Sequence, residues 1–158
     1  MSSRYFACDP QGYLRHWVVA GPARRPYTGP SGSDDEMRLA AVDPKIVEPP
    51  GDTALNAPGP FGQTWRLYHP GANVFVECSS FYSLLEIIDL YAVTEVHTPA
   101  EVALPARFWA CGTADLWVND EHLLRHDVPR YMYPEAAPIA LPLRHGAKAD
   151  RGQVLISD

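Results

Sequence analysis

The sequence predicts an all-β domain of sandwich type, and three observations carry that expectation. Sixteen prolines and eleven glycines cut the 158 residues into short pieces. Between them the apolar residues alternate with polar ones or gather in short runs, the pattern of half-buried and buried strands. Turn signals recur at roughly 8–12-residue spacing, as they do in sandwiches rather than in parallel sheets. With 46% hydrophobic residues, the chain can bury one sizeable core and is too short for two ordinary domains, so residues 1–158 read as a single domain.

The first strand is expected at Tyr13–Val19, closed by Gly21 and Pro22. The stretch Pro22–Pro60 then holds eight of the sixteen prolines, the SGSDDE segment and PPGD. It has too little apolar area to order itself as regular structure, and reads as an extended loop draped over the core in which only Met37–Val42 suits a helical turn or a strand. A structureless stretch of that length is unusual in a compact domain and is often functional where it occurs. Strands follow at Thr64–Tyr68 and Asn73–Cys78, bounded by Gly62, by Pro70 and Gly71, and by Ser79 and Ser80. Phe81, Leu84, Leu85 and Ile88 have helical spacing, which predicts a short helix before a strand from about Ile87 to His97, ended by Thr98 and Pro99.

Short connections then link Glu101–Ala106, Arg107–Cys111, Asp115–Asn119 and Glu121–Arg125. Asn119 and Asp120 form a two-residue turn, because both residue types tolerate positive φ at low cost. The last strands are expected at Arg130–Tyr133, Ile139–Leu143 and Gln153–Ser157, for a total of about nine or ten.

Composition excludes several classes of function. The longest nearly apolar run, Leu84–Val96, is interrupted by Glu86, Asp89 and Glu95 and falls short of the roughly 20 residues that span a bilayer. The opening MSSRYFACDPQG lacks the apolar core of a secretory signal, so the chain reads as cytoplasmic and without a membrane partner. Net charge is −6, and the 13 basic residues are scattered apart from the pair Arg24 and Arg25, which argues against nucleic acid. Cys8, Cys78 and Cys111 are odd in number and far apart, the pattern of buried thiols rather than of a disulfide framework or a CxxC metal site.

Four segments together resemble the galactose-binding-like jelly-roll modules attached to glycoside hydrolases and polysaccharide lyases. GYLRHWVVAGP is similar to their aromatic-rich first strand, and LYAVTEVHTPAEVAL to their central strand. CGTADLWVNDEHLLRH matches their most specific hairpin, and APIALPLRHG the strand after it. In that hairpin Leu116 and Val118 face one side of the sheet, Trp117 the other, and Asn119 makes the turn. Asp120 replaces the turn glycine usual in the family. After Gly146 the family's closing strand is replaced by AKADRGQVLISD, which shifts the last strand to Gln153–Ser157 or marks the chain as the N-terminal module of a longer protein. The resemblance implies a jelly-roll β-sandwich that is an accessory module and not an enzyme. It needs no cofactor, although such modules often hold a structural calcium, for which Asp115 and nearby loop carbonyls are the candidates.

Catalytic and metal chemistry find little footing in the residues. His122 and His126 have the spacing of helical zinc ligands, but on a strand they lie about 13 Å apart, so a shared metal is not expected. Asp34, Asp35 and Glu36 lack the spacing of a calcium loop and read as solvated. No GxSxG nucleophile motif or Gly-rich phosphate loop occurs. Glu77, Glu86, Asp89 and Glu95 cannot be placed across a cleft as a glycosidase pair and read as half-exposed strand carboxylates. What remains is aromatic. Trp17, Trp65, Trp109 and Trp117 sit in strand patterns and are expected in the core. His126, Asp127, Arg130, Tyr131 and Tyr133, in a loop at one end of the sandwich, are the candidate ligand contacts, since sugar rings bind flat aromatics beside hydrogen-bonding groups. Three functions stay open: a carbohydrate-binding or supporting module beside a carbohydrate-active catalytic domain, a ligand-free structural domain docked on a downstream domain, and a small glycan-processing enzyme.

Overall fold

A computed structural model describes residues 9–33, 36–37, 40, 53–69, 71, 74–77, 86–127 and 133–144, and the backbone of 150–157. The fold is all-β. Its strands are β1 (Trp17–Pro26), β2 (Arg66–Tyr68), β3 (Glu86–Val96), β4 (Val102–Ala110), β5 (Thr113–Val118), β6 (Glu121–His126), β7 (Glu135–Leu143) and β8 (Asp150–Ser157). They form a six-stranded sheet in the order β2-β1-β3-β8-β5-β6 and a two-stranded sheet β4-β7. Every pairing is antiparallel. Among the described residues no helix is long and apolar enough to cross a membrane.

Several elements differ from the sequence expectation. Gly21 and Pro22 lie inside β1, in a register shift between Ala20 and Ala23, instead of ending the strand. Gly21 adopts φ 121°, and a Cβ there would sit 2.9 Å from the Asp89 carbonyl oxygen of β3, so only glycine lets the strands close at the bulge. The two strands expected within Glu101–Cys111 are one strand, β4. Residues 74–77 belong to no strand; the Tyr68 hydroxyl accepts a 2.9 Å hydrogen bond from the Glu77 amide, so a side chain pins this segment in place of a ladder. Glu86–Leu90, the end of the expected helix, is strand, whereas Phe81–Leu85 lies outside the described residues. The expected strand at Arg130–Tyr133 has only Tyr133 among the described residues, and Tyr133 lies in no strand.

Alternation decides the layers. Val19, Leu90, Ala92, Leu116 and Val118 face one side of the six-stranded sheet and form a buried cluster. Phe108 of β4 and Ile139 and Leu141 of β7 pack against it, so the two-stranded sheet covers this face. The other face carries Ala20, Tyr91 and Val93, which pack with the fully buried Trp65. The segment around Trp65 folds back on itself through backbone bonds from Asn56 to Trp65 and from Trp65 to Ala57. Trp17 is partly buried against the first cluster, its indole N–H donating to the Leu14 carbonyl at 2.8 Å.

The two-stranded sheet contains Pro105, Pro138 and Pro142. Proline cannot donate to a ladder and is confined to edges, and in a two-stranded sheet both strands are edges. At the hairpin joining β5 and β6, Asn119 and Asp120 have φ 54° and 65°, as the expected two-residue turn requires. The Asn119 side-chain amide donates to the Pro142 carbonyl at 2.7 Å and ties the two sheets together at this end.

Candidate functional site

Two places gather chemistry-bearing side chains. The first is the face of the β5–β6 hairpin that looks away from β4–β7. Asp115 pairs with Arg125 in the register, and Trp117 with His122. The Asp115 side chain is 3% exposed, its Oδ1 lying 2.9 Å from His122 Nε2 and 4.0 Å from Arg125 Nε. A carboxylate only accepts, so the His122 Nε2–H donates. The His122 ring meets Trp117 edge-on, with centroids 4.8 Å apart. Trp117 thus turns away from Leu116 and Val118 as its alternation predicts, and its buried indole N–H has no hydrogen-bond partner among the described residues. Tyr91 lies on the same sheet face; burial first, then the Asp89 and Asp115 carboxylates, push its phenol above its ordinary range.

A β-bulge decides which histidine belongs here. The register shifts between Leu116 and Trp117, which leaves Leu123 as the extra residue of β6. In a regular strand, His122 and His126 would share a face. The bulge instead sends His122 to the Asp115 side and His126 to the opposite side, where its ring meets Phe108 at 6.3 Å. Among the described residues no group of three or more His, Cys, Asp or Glu side chains is placed to hold a metal ion. Asp115 lies within β5 and not in a loop, engaged by His122 and Arg125 rather than by companion carboxylates.

The second place is the end of the two-stranded sheet. Trp109, expected in the core, is 41% exposed, because nothing among the described residues covers the outer face of β4–β7. Alternation puts Arg107 on that same outer face, and the facing positions of β7 are Pro138 and Ala136. Tyr133, two residues before β7, is 75% exposed and lies at the Trp109 end of the sheet. Of the loop candidates, Asp127 is exposed just beyond β6. His126 is 6% exposed, a correction to its expected place on a surface loop: it is the last residue of β6 and points inward. Arg130 and Tyr131 lie outside the described residues.

The chain matches no family model, no curated protein and no solved structure.

Several other carboxylates have structural partners. Glu86 and Asp89 form 3.1 Å ion pairs with Arg24 and Arg25 across β1 and β3. Glu36 accepts from the Ser33 amide at 2.8 Å and the Ser33 hydroxyl at 2.9 Å, which holds its carboxyl below the usual range; Asp34 and Asp35 lie outside the described residues. Glu95 lies 3.8 Å from His97. Cys111 is a half-buried thiol, and Cys8 and Cys78 lie outside the described residues. Sequence reasoning missed the Asp115–His122 pair and the outward turn of Trp109. The first follows from a bulge that no residue type announces, and the second from a sheet that stops at two strands.

Proposed function

We propose that this chain is a non-catalytic accessory module of galactose-binding-like, jelly-roll type that binds carbohydrate beside a carbohydrate-active catalytic partner. The observation that carries this reading is the exposed indole of Trp109 on the outer face of β4–β7, with Arg107 on the same face. Sugar rings present apolar C–H faces that stack on a flat aromatic, while their hydroxyls need donors and acceptors at the rim, which a guanidinium supplies. Tyr133 adds a second exposed ring at that end. The antiparallel pairing throughout and the packing of β4–β7 on one face of the six-stranded sheet are compatible with the jelly-roll reading.

The second reading, a ligand-free domain docked on a neighbouring one, draws on the same face. Ala103, Pro105, Ala136, Pro138, Ala140 and Pro142 make most of it apolar and without hydrogen-bonding side chains.

A glycan-array screen of the purified chain, repeated with Trp109→Ala and Tyr133→Ala, tests the proposal. Binding that either change abolishes supports a carbohydrate site on this face. Absence of binding by protein that circular dichroism shows to be folded overturns it and favours the docking module.

A further inference from the structure

The geometry points to a third site, independent of the carbohydrate reading: His16 and His69 form a two-histidine site for a borderline divalent transition metal, Cu(II) before Ni(II) or Zn(II). Their Nδ1 atoms lie 3.0 Å apart, with ring planes at 82° and centroids 4.9 Å apart. Two imidazole nitrogens bound to one ion at about 2.0–2.1 Å, with an angle of about 90–110° between them, are themselves about 2.9–3.4 Å apart. The observed separation falls in that interval.

The backbone explains why the rings meet. Trp17 of β1 and Tyr68 of β2 are register partners, so His16 and His69 are the next residues outward on each strand. Directly opposed residues of an antiparallel pair have Cβ atoms about 4.5–5.5 Å apart, a spacing that two imidazoles can bridge through one ion. The Thr94 hydroxyl of β3 donates to the His16 carbonyl at 2.8 Å and anchors that residue from the other side.

Without metal, one ring donates its Nδ1–H to the other ring's Nδ1 lone pair. To bind an ion, the donor ring moves its proton to Nε2, so that both Nδ1 lone pairs face the metal and no proton is released from the neutral pair. A rotation of the rings about χ2, which is a broad torsion for histidine, aims the lone pairs at a common point. Water completes the coordination, and neutral imidazole favours copper over nickel and zinc in the ordinary affinity order.

The test is a titration of the whole chain near neutral pH. Cu(II) at one equivalent is followed by electron paramagnetic resonance, and Ni(II), which thiols do not reduce, by calorimetry. The expected result is one site whose ligand hyperfine structure reports two nitrogens, lost in His16→Ala and in His69→Ala and kept in His97→Ala and His122→Ala. Should His69→Ala not fold by circular dichroism, His69→Gln replaces it. Binding unchanged in folded His16 or His69 variants overturns the proposal, as does loss of the two-nitrogen signal in His97→Ala or no binding by the parent chain.

Discussion

His122 Nε2 and Asp115 Oδ1 are 2.9 Å apart on the hairpin face that looks away from the two-stranded sheet, and the aspartate is 2% exposed as a residue. A hydrogen bond to a charged group contributes about 1.5–3 kcal/mol, and removing one partner strands the other. Asp115→Ala is therefore expected to lower stability by about that amount, with His122→Ala weaker because its ring is more exposed. A double-mutant cycle from urea midpoints should give a coupling of about 0.5–3 kcal/mol; additive effects would show that the contact contributes nothing.

Among the tryptophans, Trp65 and not Trp117 is expected to matter most to stability. Trp65 is fully buried, against Ala20 and Tyr91, whereas Trp117 is half-buried on an outer face. Trp65→Ala is predicted to cost about 3–5 kcal/mol through lost burial and the cavity left behind, and Trp117→Ala less. Equilibrium unfolding of both variants decides it, and the reverse order would contradict the assignment of the second cluster.

Gly21→Ala is predicted to destabilise by about 1–3 kcal/mol, since alanine would have to hold a left-handed φ with its methyl against the Asp89 carbonyl. A thermal melt equal to that of the parent would mean that the β1 bulge relaxes freely.

Tyr91 gives stability a dependence on alkaline pH. Its phenol is raised by burial and by the Asp89 and Asp115 carboxylates, so the folded chain holds that proton more tightly than the unfolded chain. Below a pH of about 10 both states are protonated and the contribution is fully present. As pH rises past that value, the unfolded chain ionises first, and stability is lost until pH passes the folded pKa. Urea midpoints across this range should fall less steeply in Tyr91→Phe than in the parent; parallel curves would remove Tyr91 as the source.

Much of the strand content is legible in the sequence, and specific residues show why. The Asn119–Asp120 turn is readable because two residues tolerant of positive φ stand between alternating segments, and the outward turn of Trp117 follows from that alternation. The strand from about Ile87 is readable from its apolar run, and β3 is buried because Leu90 and Ala92 join one cluster while Tyr91 and Val93 join the other. Other features depend on contacts that sequence spacing does not encode. Gly21-Pro22 reads as a strand end but forms a bulge, because the approach of Asp89 is a tertiary fact. The positions of His122 and His126 look equivalent until one extra residue in β6 separates them. Trp109 has the pattern of a core strand residue, and its exposure depends on the absence of a third layer over β4–β7 among the described residues. The meeting of His16 and His69 needs the pairing of strands some fifty residues apart in the chain.

The place of β8 in the six-stranded sheet bears on the order in which the molecule is assembled. This strand, made after all the others described, lies between β3 and β5 and joins β2-β1-β3 to the β5–β6 hairpin. Until it arrives, the sheet exists as two pieces with facing unpaired edges, one along β3 and one along β5. The main sheet therefore cannot close until β8 has been made. Closure waits on a long-range pairing of the kind that slows folding, and the open edges in the interval are the surfaces a chaperone would need to cover.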